Sequence, residues 1–400
     1  MNVIELKKIT LLVCYCISLI FFSCKGTGEQ GKQEKKLLTR KGDASIEVFK
    51  AAPILFNPKE VPNGYNAPDS NGIIRLVNGR LILKKVILPQ YDRNVKLTLK
   101  ARLVSSGDDY DRSGSIFILN DRKKGVSPID IAKNSTYPNM EGTLNSYKGI
   151  IALADYEPCV EALRFMTPFG VGFYSDKRTP PSHVKAWEKD VKWEADISHL
   201  YSLLEGGAYI GAWIDTWHGK GFALDLTLEA KESDQDEPRE NWKVASVMNT
   251  VPYIGQNYPD VFGQLEEGIS VKVNLASAKE AKLYYTTTGH GGNNGDEFHR
   301  RKNIITLSGK KIKEWVPWKA SCEHVRKWNP TSGELWPGVS SSDLPRSNWC
   351  PSESVLPKII PLQADDLSAD STFNFTVQQA NKTIGNDTNF WLISAYVVYR

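Results

Sequence analysis

Carboxylates placed close to arginines and aromatic rings are the residues of this chain whose types and spacing could do chemistry. Residues 107–118 read GDDYDRSGSIFI, with Asp108, Asp109, Asp111 and Arg112 crowded ahead of an apolar run. Asp and Gly are ordinary turn residues, so a solvated turn accounts for this stretch as well as a site does. A second acid, Asp215, lies in AYIGAWIDTWHGKG (208–221). On an extended strand Trp213, Asp215 and Trp217 would share one face. A third place, TTTGHGGNNGDEFHRRKNIITL (286–307), carries His290, Glu297 and His299. An acid flanked by basic groups can be held ionised and poised for proton transfer. The fourth is the Trp- and Pro-rich run from Cys322 to Cys350, with Arg346 and Trp349 near its end.

Other chemistries find little support. His290, Glu297 and His299 lack the tight spacing of a metal site, so no metal is expected. GHGGNNG lacks the Lys-Ser/Thr of a phosphate loop and its strand–glycine–helix setting. The chain has no GxSxG nucleophile elbow, and Cys159 has no histidine context that would make it a nucleophile.

The elements that must position these groups read as strands. In NVKLTLKARL (94–103), Val95, Leu97, Leu99, Ala101 and Leu103 face one way and the polar residues the other. ISVKVNL (269–275) and FALDLTL (222–228) alternate in the same manner. Period two with one polar face marks antiparallel strands covered on one side. Helical periodicity is scarce, and ISHLYSLLEGG (197–207) is its best short stretch. Many short strands separated by Gly, Pro and Asn turns predict an all-β chain of sandwiches. The charged segment KESDQDEPREN (231–241) reads as a linker between two sandwich domains, 44–230 and 242–400. Residues 121–160 form a long excursion between strands of the first, of a length that is often functional.

Composition sets bounds. With 400 residues, 41% of them hydrophobic and 24% charged, the chain can bury a substantial core. The net charge of +4 is small and its basic residues are scattered, so no nucleic-acid surface is expected. At the N-terminus, Lys7 and Lys8 precede an apolar stretch from Ile9 to Phe22 and then Ser23-Cys24. That is the layout of a signal peptide, residues 1–23, and it is short for a membrane span. FFSC resembles a bacterial lipobox, with Phe21 at the usual Leu position. Cys24 is therefore expected to carry lipid and residues 24–43 to form a flexible tether. The expectation is an exported bacterial lipoprotein at the outer membrane or cell surface, with the periplasmic face also open. It would touch the membrane only through that anchor. Export permits disulfides; of Cys159, Cys322 and Cys350, two can pair and one is left over, and sequence alone does not say which.

Taken in order, several segments resemble the peptide N-glycosidase F family of bacterial glycoamidases. RFMTPFGVGF (164–173) is similar to that family's Arg-Phe-Ile-Thr-Pro strand, IDTWHGKG (214–221) to its acid-Thr-Trp segment, and STFNFTV…NFWLISAYVVYR to its closing strands. DRSGSIFI, GDEF and PRSNWCP follow in the family's order. The resemblance runs from about residue 44 to the C-terminus. It implies two adjacent eight-stranded antiparallel jelly rolls with the active site at their interface, and a Cys322–Cys350 disulfide. It places the essential aspartate on Asp111 and the supporting acids on Asp215 and Glu297. Arg112, Trp217, Arg346, His290 and Trp349 become substrate-binding residues. The implied reaction frees intact N-linked glycans from glycoproteins or glycopeptides by hydrolysing the glycosylasparagine amide, which turns Asn into Asp. It needs no cofactor, and a monomer suffices. The competing reading is a non-catalytic glycan-binding lipoprotein on the same scaffold, because Asp215 stands where the family has a glutamate. His290 stands where the family has a cleft tryptophan, and the 121–160 excursion is expected to be able to cover the cleft.

Overall fold

The computed structural model describes residues 38–120, 125–254, 256, 260–292, 295–333, 340–382 and 389–400. The signal peptide, Cys24 and most of the tether lie outside the described residues. Among the described residues, no helix is long and apolar enough to cross a membrane.

Among the described residues, four antiparallel sheets carry the chain. In the first half, β1 (Ala44–Ile54), β9 (Phe222–Glu232), β4 (Val95–Ser105) and β7 (Val191–Asp196) lie side by side in that order. Facing them is a six-stranded sheet in the order β15 (Ser354–Val355), β6 (Val160–Met166), β5 (Ser113–Leu119), β8 (Ala208–Ile214), β3 (Leu81–Val86) and β2 (Ile73–Leu76). The second half pairs a sheet of β10 (Lys243–Asn249), β18 (Asn389–Tyr399), β12 (Ala281–Gly291) and β16 (Lys358–Pro361) with one of β11 (Ile269–Val273), β17 (Ser371–Gln378), β13 (Lys302–Leu307) and β14 (Lys310–Trp315).

The strands that alternate in sequence are those with one face in water. Along β4, Val95, Leu97, Leu99, Ala101 and Leu103 enter the first core while Lys96, Lys100 and Arg102 stay exposed. β5 is different, because all seven of its residues are buried. Ile116 and Ile118 join the first core, and Phe117 and Leu119 join an apolar seam with Trp213, Val251, Tyr253 and Leu392. That seam glues the six-stranded sheet to the second half. A strand covered on both faces has no polar side to show. Gly114 in this strand permits the close approach of Phe165, whose ring carbon would stand 2.2 Å from any added Cβ.

Three expectations are corrected locally. The stretch 197–207 forms only a 3-10 turn, Ser198–Leu200, and one α-helical turn, Tyr201–Leu204; Gly206 and Gly207 then take positive φ. β8 stops at Ile214, so the expected shared face of Trp213, Asp215 and Trp217 is broken; Trp213 is buried in the seam while Trp217 is 54% exposed. The excursion joins the far end of β5 to the start of β6, because Ile118 pairs with Val160 and Ser113 with Met166. It packs on the second half, with Met140, Ile150 and Ile151 in that core and Asn249 N donating to Ile150 O at 2.7 Å. Seven residues of strand, about 20 Å, separate it from Asp111, so it does not roof the acids.

Candidate active site

Asp111 and Arg112 end the loop that feeds β5, and buried bonds fix this loop. Asp108, fully buried, accepts from Arg112 through both oxygens, from Nε at 3.0 Å and from NH2 at 3.2 Å. It also accepts from Thr216 Oγ1 at 2.6 Å and from Tyr110 N at 3.0 Å. The backbone N–H of Arg112 donates to Thr167 Oγ1 at 2.8 Å. From the second half, Thr331 Oγ1 donates to Asp109 O at 2.6 Å. Asp108 is thus a brace that holds Arg112 by a two-pronged pair.

Glu297 sits on the 3-10 turn Asp296–Phe298 beyond β12. Its neighbour Asp296 fixes that turn: buried, it accepts from Trp391 Nε1 at 2.8 Å, Arg301 Nε at 2.7 Å and Asn381 N at 2.9 Å. Glu297 itself accepts from Arg346 Nε at 2.9 Å. Arg346 is 1% exposed and its other nitrogens are held by Ser341, NH1 on the carbonyl at 2.5 Å and NH2 on the hydroxyl at 2.8 Å. The same NH2 lies 3.6 Å from Asp111 Oδ2. One arginine therefore bridges acids from the two halves of the chain. Asp111 Oδ2 is buried and has no hydrogen-bond donor from the described protein. Burial raises the Asp111 carboxyl above its ordinary value against the pull of Arg346 and Arg112. Glu297 is raised by burial to about 7, with Arg346 opposing and Asp111 reinforcing the shift.

Asp215 follows β8, its N–H donating to Ser113 O at 2.9 Å. Its Oδ1 accepts from Arg80 NH1 at 3.1 Å. Burial raises its carboxyl too, opposed by Arg80 and then Arg112. Arg80 lies 4.1 Å from the centroid of the Trp217 ring, and Phe56 packs on that ring at 5.2 Å. The three expected acids thus fall into two charge clusters, Arg80 with Asp215 and Arg346 with Asp111 and Glu297, and Arg112 acts on both Asp215 and Asp111 at longer range.

Trp349 and His290 take a different place from the one expected. Trp349 is 4% exposed, bonds Gly289 O through Nε1 at 2.9 Å, and lies under the Arg346 guanidinium, 4.6 Å from its ring centroid. His290, 5% exposed, is stacked between Trp349 and Phe390 with centroids 5.4 Å and 5.0 Å away. Both rings form the floor beneath the charges instead of a face open to a sugar. Of the rings expected to bind substrate, Trp217 is the one that remains open. Sequence reading missed Arg80, whose partner is 135 residues away, and it gave Asp108 no separate task. For Arg80 no local signal exists. For Asp108 the i, i+4 spacing to Arg112 was available, but on a loop it carries no geometry.

The disulfide Cys322–Cys350 is present and closes the loop that carries Arg346 and Trp349. Cys159 is buried and free, and burial pushes its thiol upward, which suits a packing residue. His324, Cys350 and Glu353 cluster closely, but the sulfur is committed to the disulfide.

The fold and the charge cluster define a class: two antiparallel β-sandwiches fused side by side, with acids from both halves gathered on one arginine. Residues 45–230 match the family description "Peptide-N-glycosidase F, N terminal" and residues 257–398 match "Peptide-N-glycosidase F, C terminal"; the chain belongs to this family. Among solved structures it is similar to PNGF-II, at 32% identity and a TM-score of 0.80 over 90% of this chain. This chain spans 65% of the PNGF-II chain. It also shares the fold of PNGase F, a glycosylasparaginase from Flavobacterium meningosepticum, at 16% identity and a TM-score of 0.59, over 90% of this chain and 96% of that one. No curated protein matched the chain.

Proposed function

We propose that this cleft hydrolyses the amide linking an N-glycan to asparagine, releasing the intact glycan and leaving aspartate. An amide is resonance-stabilised, so attack needs a positioned water, a base for its proton, an acid for the leaving nitrogen and help for the oxyanion. Asp111 takes the water's proton, since its Oδ2 lacks a protein donor and its basicity is raised by burial. Glu297, raised to about 7, still holds a proton on a large fraction of molecules near neutrality and gives it to the nitrogen. Arg346 lies between them. Asp215, with Arg80 and the exposed Trp217, forms the saccharide side of the cleft.

The observation that carries this reading is the single guanidinium shared by Glu297 at 2.9 Å and Asp111 at 3.6 Å. The test is mass spectrometry of glycopeptides carrying high-mannose, complex and core-fucosylated glycans. Intact glycan freed together with Asn-to-Asp conversion is expected from the parent protein. Asp111→Asn is expected to lose about 10²–10⁴-fold in rate. Parent turnover in that variant overturns the role of Asp111.

One observation favours a second reading, glycan binding without hydrolysis: Asp215 Oδ1 is already engaged by Arg80. Affinity for glycopeptide with no release of glycan would select it. The protein is further proposed to be exported and lipid-anchored at Cys24. Incorporation of labelled palmitate, lost in Cys24→Ser, is the expected result.

A further inference from the structure

Beneath the acids runs a line of buried hydrogen bonds whose direction can be worked out donor by donor. It starts at Arg164, fully buried in a two-pronged pair with Glu161 at 2.6 Å and 2.9 Å. Ser115 Oγ donates to the same Glu161 at 2.6 Å, so that carboxylate is well satisfied. Arg164 NH1 reaches across the seam to Thr288 Oγ1 at 2.9 Å and Leu392 O at 3.0 Å. A guanidinium only donates. Thr288 Oγ1 therefore accepts, and its own hydrogen needs an acceptor. Among the described residues the remaining partner of that hydroxyl is His290 Nε2, at 2.8 Å.

Nε2 is thereby the accepting nitrogen of His290. Burial, with Arg164 and Arg346 nearby, holds the ring far below its ordinary value, so it is neutral and its one proton sits on Nδ1. Nδ1 faces Ser113 Oγ at 3.5 Å, the long limit of such a bond. With Ser113 Oγ accepting from the ring, the serine's own hydrogen has no acceptor among the described residues. Ser113 follows Arg112 in the chain, its main-chain carbonyl receives the N–H of Asp215, and its side chain is 9% exposed. Its main chain thereby joins the segments that carry the two acids of the first half.

We propose that Ser113 is a further catalytic residue: its hydroxyl, left without an internal acceptor by the line Arg164–Thr288–His290, donates to the asparagine side-chain carbonyl oxygen as that atom becomes an oxyanion. A hydroxyl whose oxygen is engaged by the ring and whose hydrogen has no competing acceptor needs little reorganisation during the reaction, which is what makes such donors effective. His290 is then a positioning residue. This assignment rests on the amide-hydrolysis reading of the same cleft.

The test begins with the parent protein on a fluorescent glycopeptide, so that absence of release sinks the hydrolysis reading by itself. Given release, Ser113→Ala is expected to lower kcat by about 10²-fold with little change in KM, and Ser113→Thr to keep most of the rate. His290→Phe keeps a ring between Trp349 and Phe390 and removes both nitrogens. It is expected to lose a similar factor, and the double variant to lose no more than either single one, since coupled groups are non-additive. Losses that multiply, or a change confined to KM, overturn the assignment. An independent readout needs no turnover: ¹⁵N shifts of histidine-labelled protein, assigned by the signal missing in His290→Phe. A neutral ring protonated on Nδ1 is expected, and protonation on Nε2 overturns the proposal.

Discussion

Arg346 and Arg80 each hold a cleft carboxylate at nearly the same distance, Glu297 at 2.9 Å and Asp215 at 3.1 Å, yet they are built differently. Arg346 is buried, locked by Ser341, floored by Trp349 and shared with a second acid from the other half. Arg80 is partly exposed, has one acid from its own half, and lies against the open ring of Trp217. A buried, shared guanidinium fixes the separation and protonation of two reacting groups. A rim guanidinium backed by aromatic rings suits contact with a ligand surface. On this reading the two charge clusters divide chemistry from recognition.

Removing each cation breaks or sharpens that division, and Arg346→Met should have the largest effect. It strands Glu297 and Asp111 without their cation, with an expected stability loss of about 3–5 kcal/mol and at least a 10²-fold drop in kcat. Denaturant melts and steady-state kinetics measure the two. If Arg80→Met proved equally damaging to kcat, the division would fall.

The pH profile probes the Arg346 cluster. Glu297 titrates at about 7 in the fold, above its ordinary value. If its protonated form serves the leaving nitrogen, kcat/KM should fall tenfold per unit above about pH 7, and Glu297→Gln should abolish that limb. Stability changes in the same sense. Between about 4.5 and about 7 the folded state binds more protons than the unfolded one, so stability declines as pH rises through that window. Melts of Glu297→Gln should show a flatter dependence.

Opening the Cys322–Cys350 link with a Cys322→Ser, Cys350→Ser double variant should cost about 3.5 kcal/mol by loop entropy. It should lower kcat more than KM, because the loop carries Arg346. At the Arg80 cluster the effects should be smallest. Arg80→Met is expected to raise KM by about tenfold, the scale of a modest charged hydrogen bond. Trp217→Ala should raise it several-fold, with kcat changed less than twofold in both. Isothermal titration with a non-hydrolysed glycopeptide on Asp111→Asn checks them.

What the sequence disclosed follows the same physics. β4, β9 and β11 were legible because each keeps one face in water, which prints an alternating pattern. β5 was less so, for its two buried faces erase the polar side. Asp111 and Glu297 could be picked out as acids near arginines, and their gathering in one site came only through the family resemblance; their sharing of Arg346 was not legible, because the Asp111 contact spans more than two hundred residues of chain. Arg80 left no trace, because its pairing exists only after β3 and β8 have zipped. Trp349 and His290 misled for a related reason: an aromatic residue in a polar loop looks like an open surface until the fold stacks something over it.

Residues 352–355 carry a mechanical consequence. Ser352 and Glu353 exchange bonds with Met166, and Ser354 and Val355 pair with Phe165 and Arg164, so the second half donates a ladder to the outer rim of the first half's sheet. Prising the sandwiches apart would unzip that ladder, and gaping like a jaw is therefore disfavoured. If the proposed amide hydrolysis holds, a bulky folded guest has to offer its sugar-bearing asparagine on a protruding or unravelled strand, and short or denatured glycopeptides should be handled much faster than native glycoproteins whose attachment points lie flush with their surfaces.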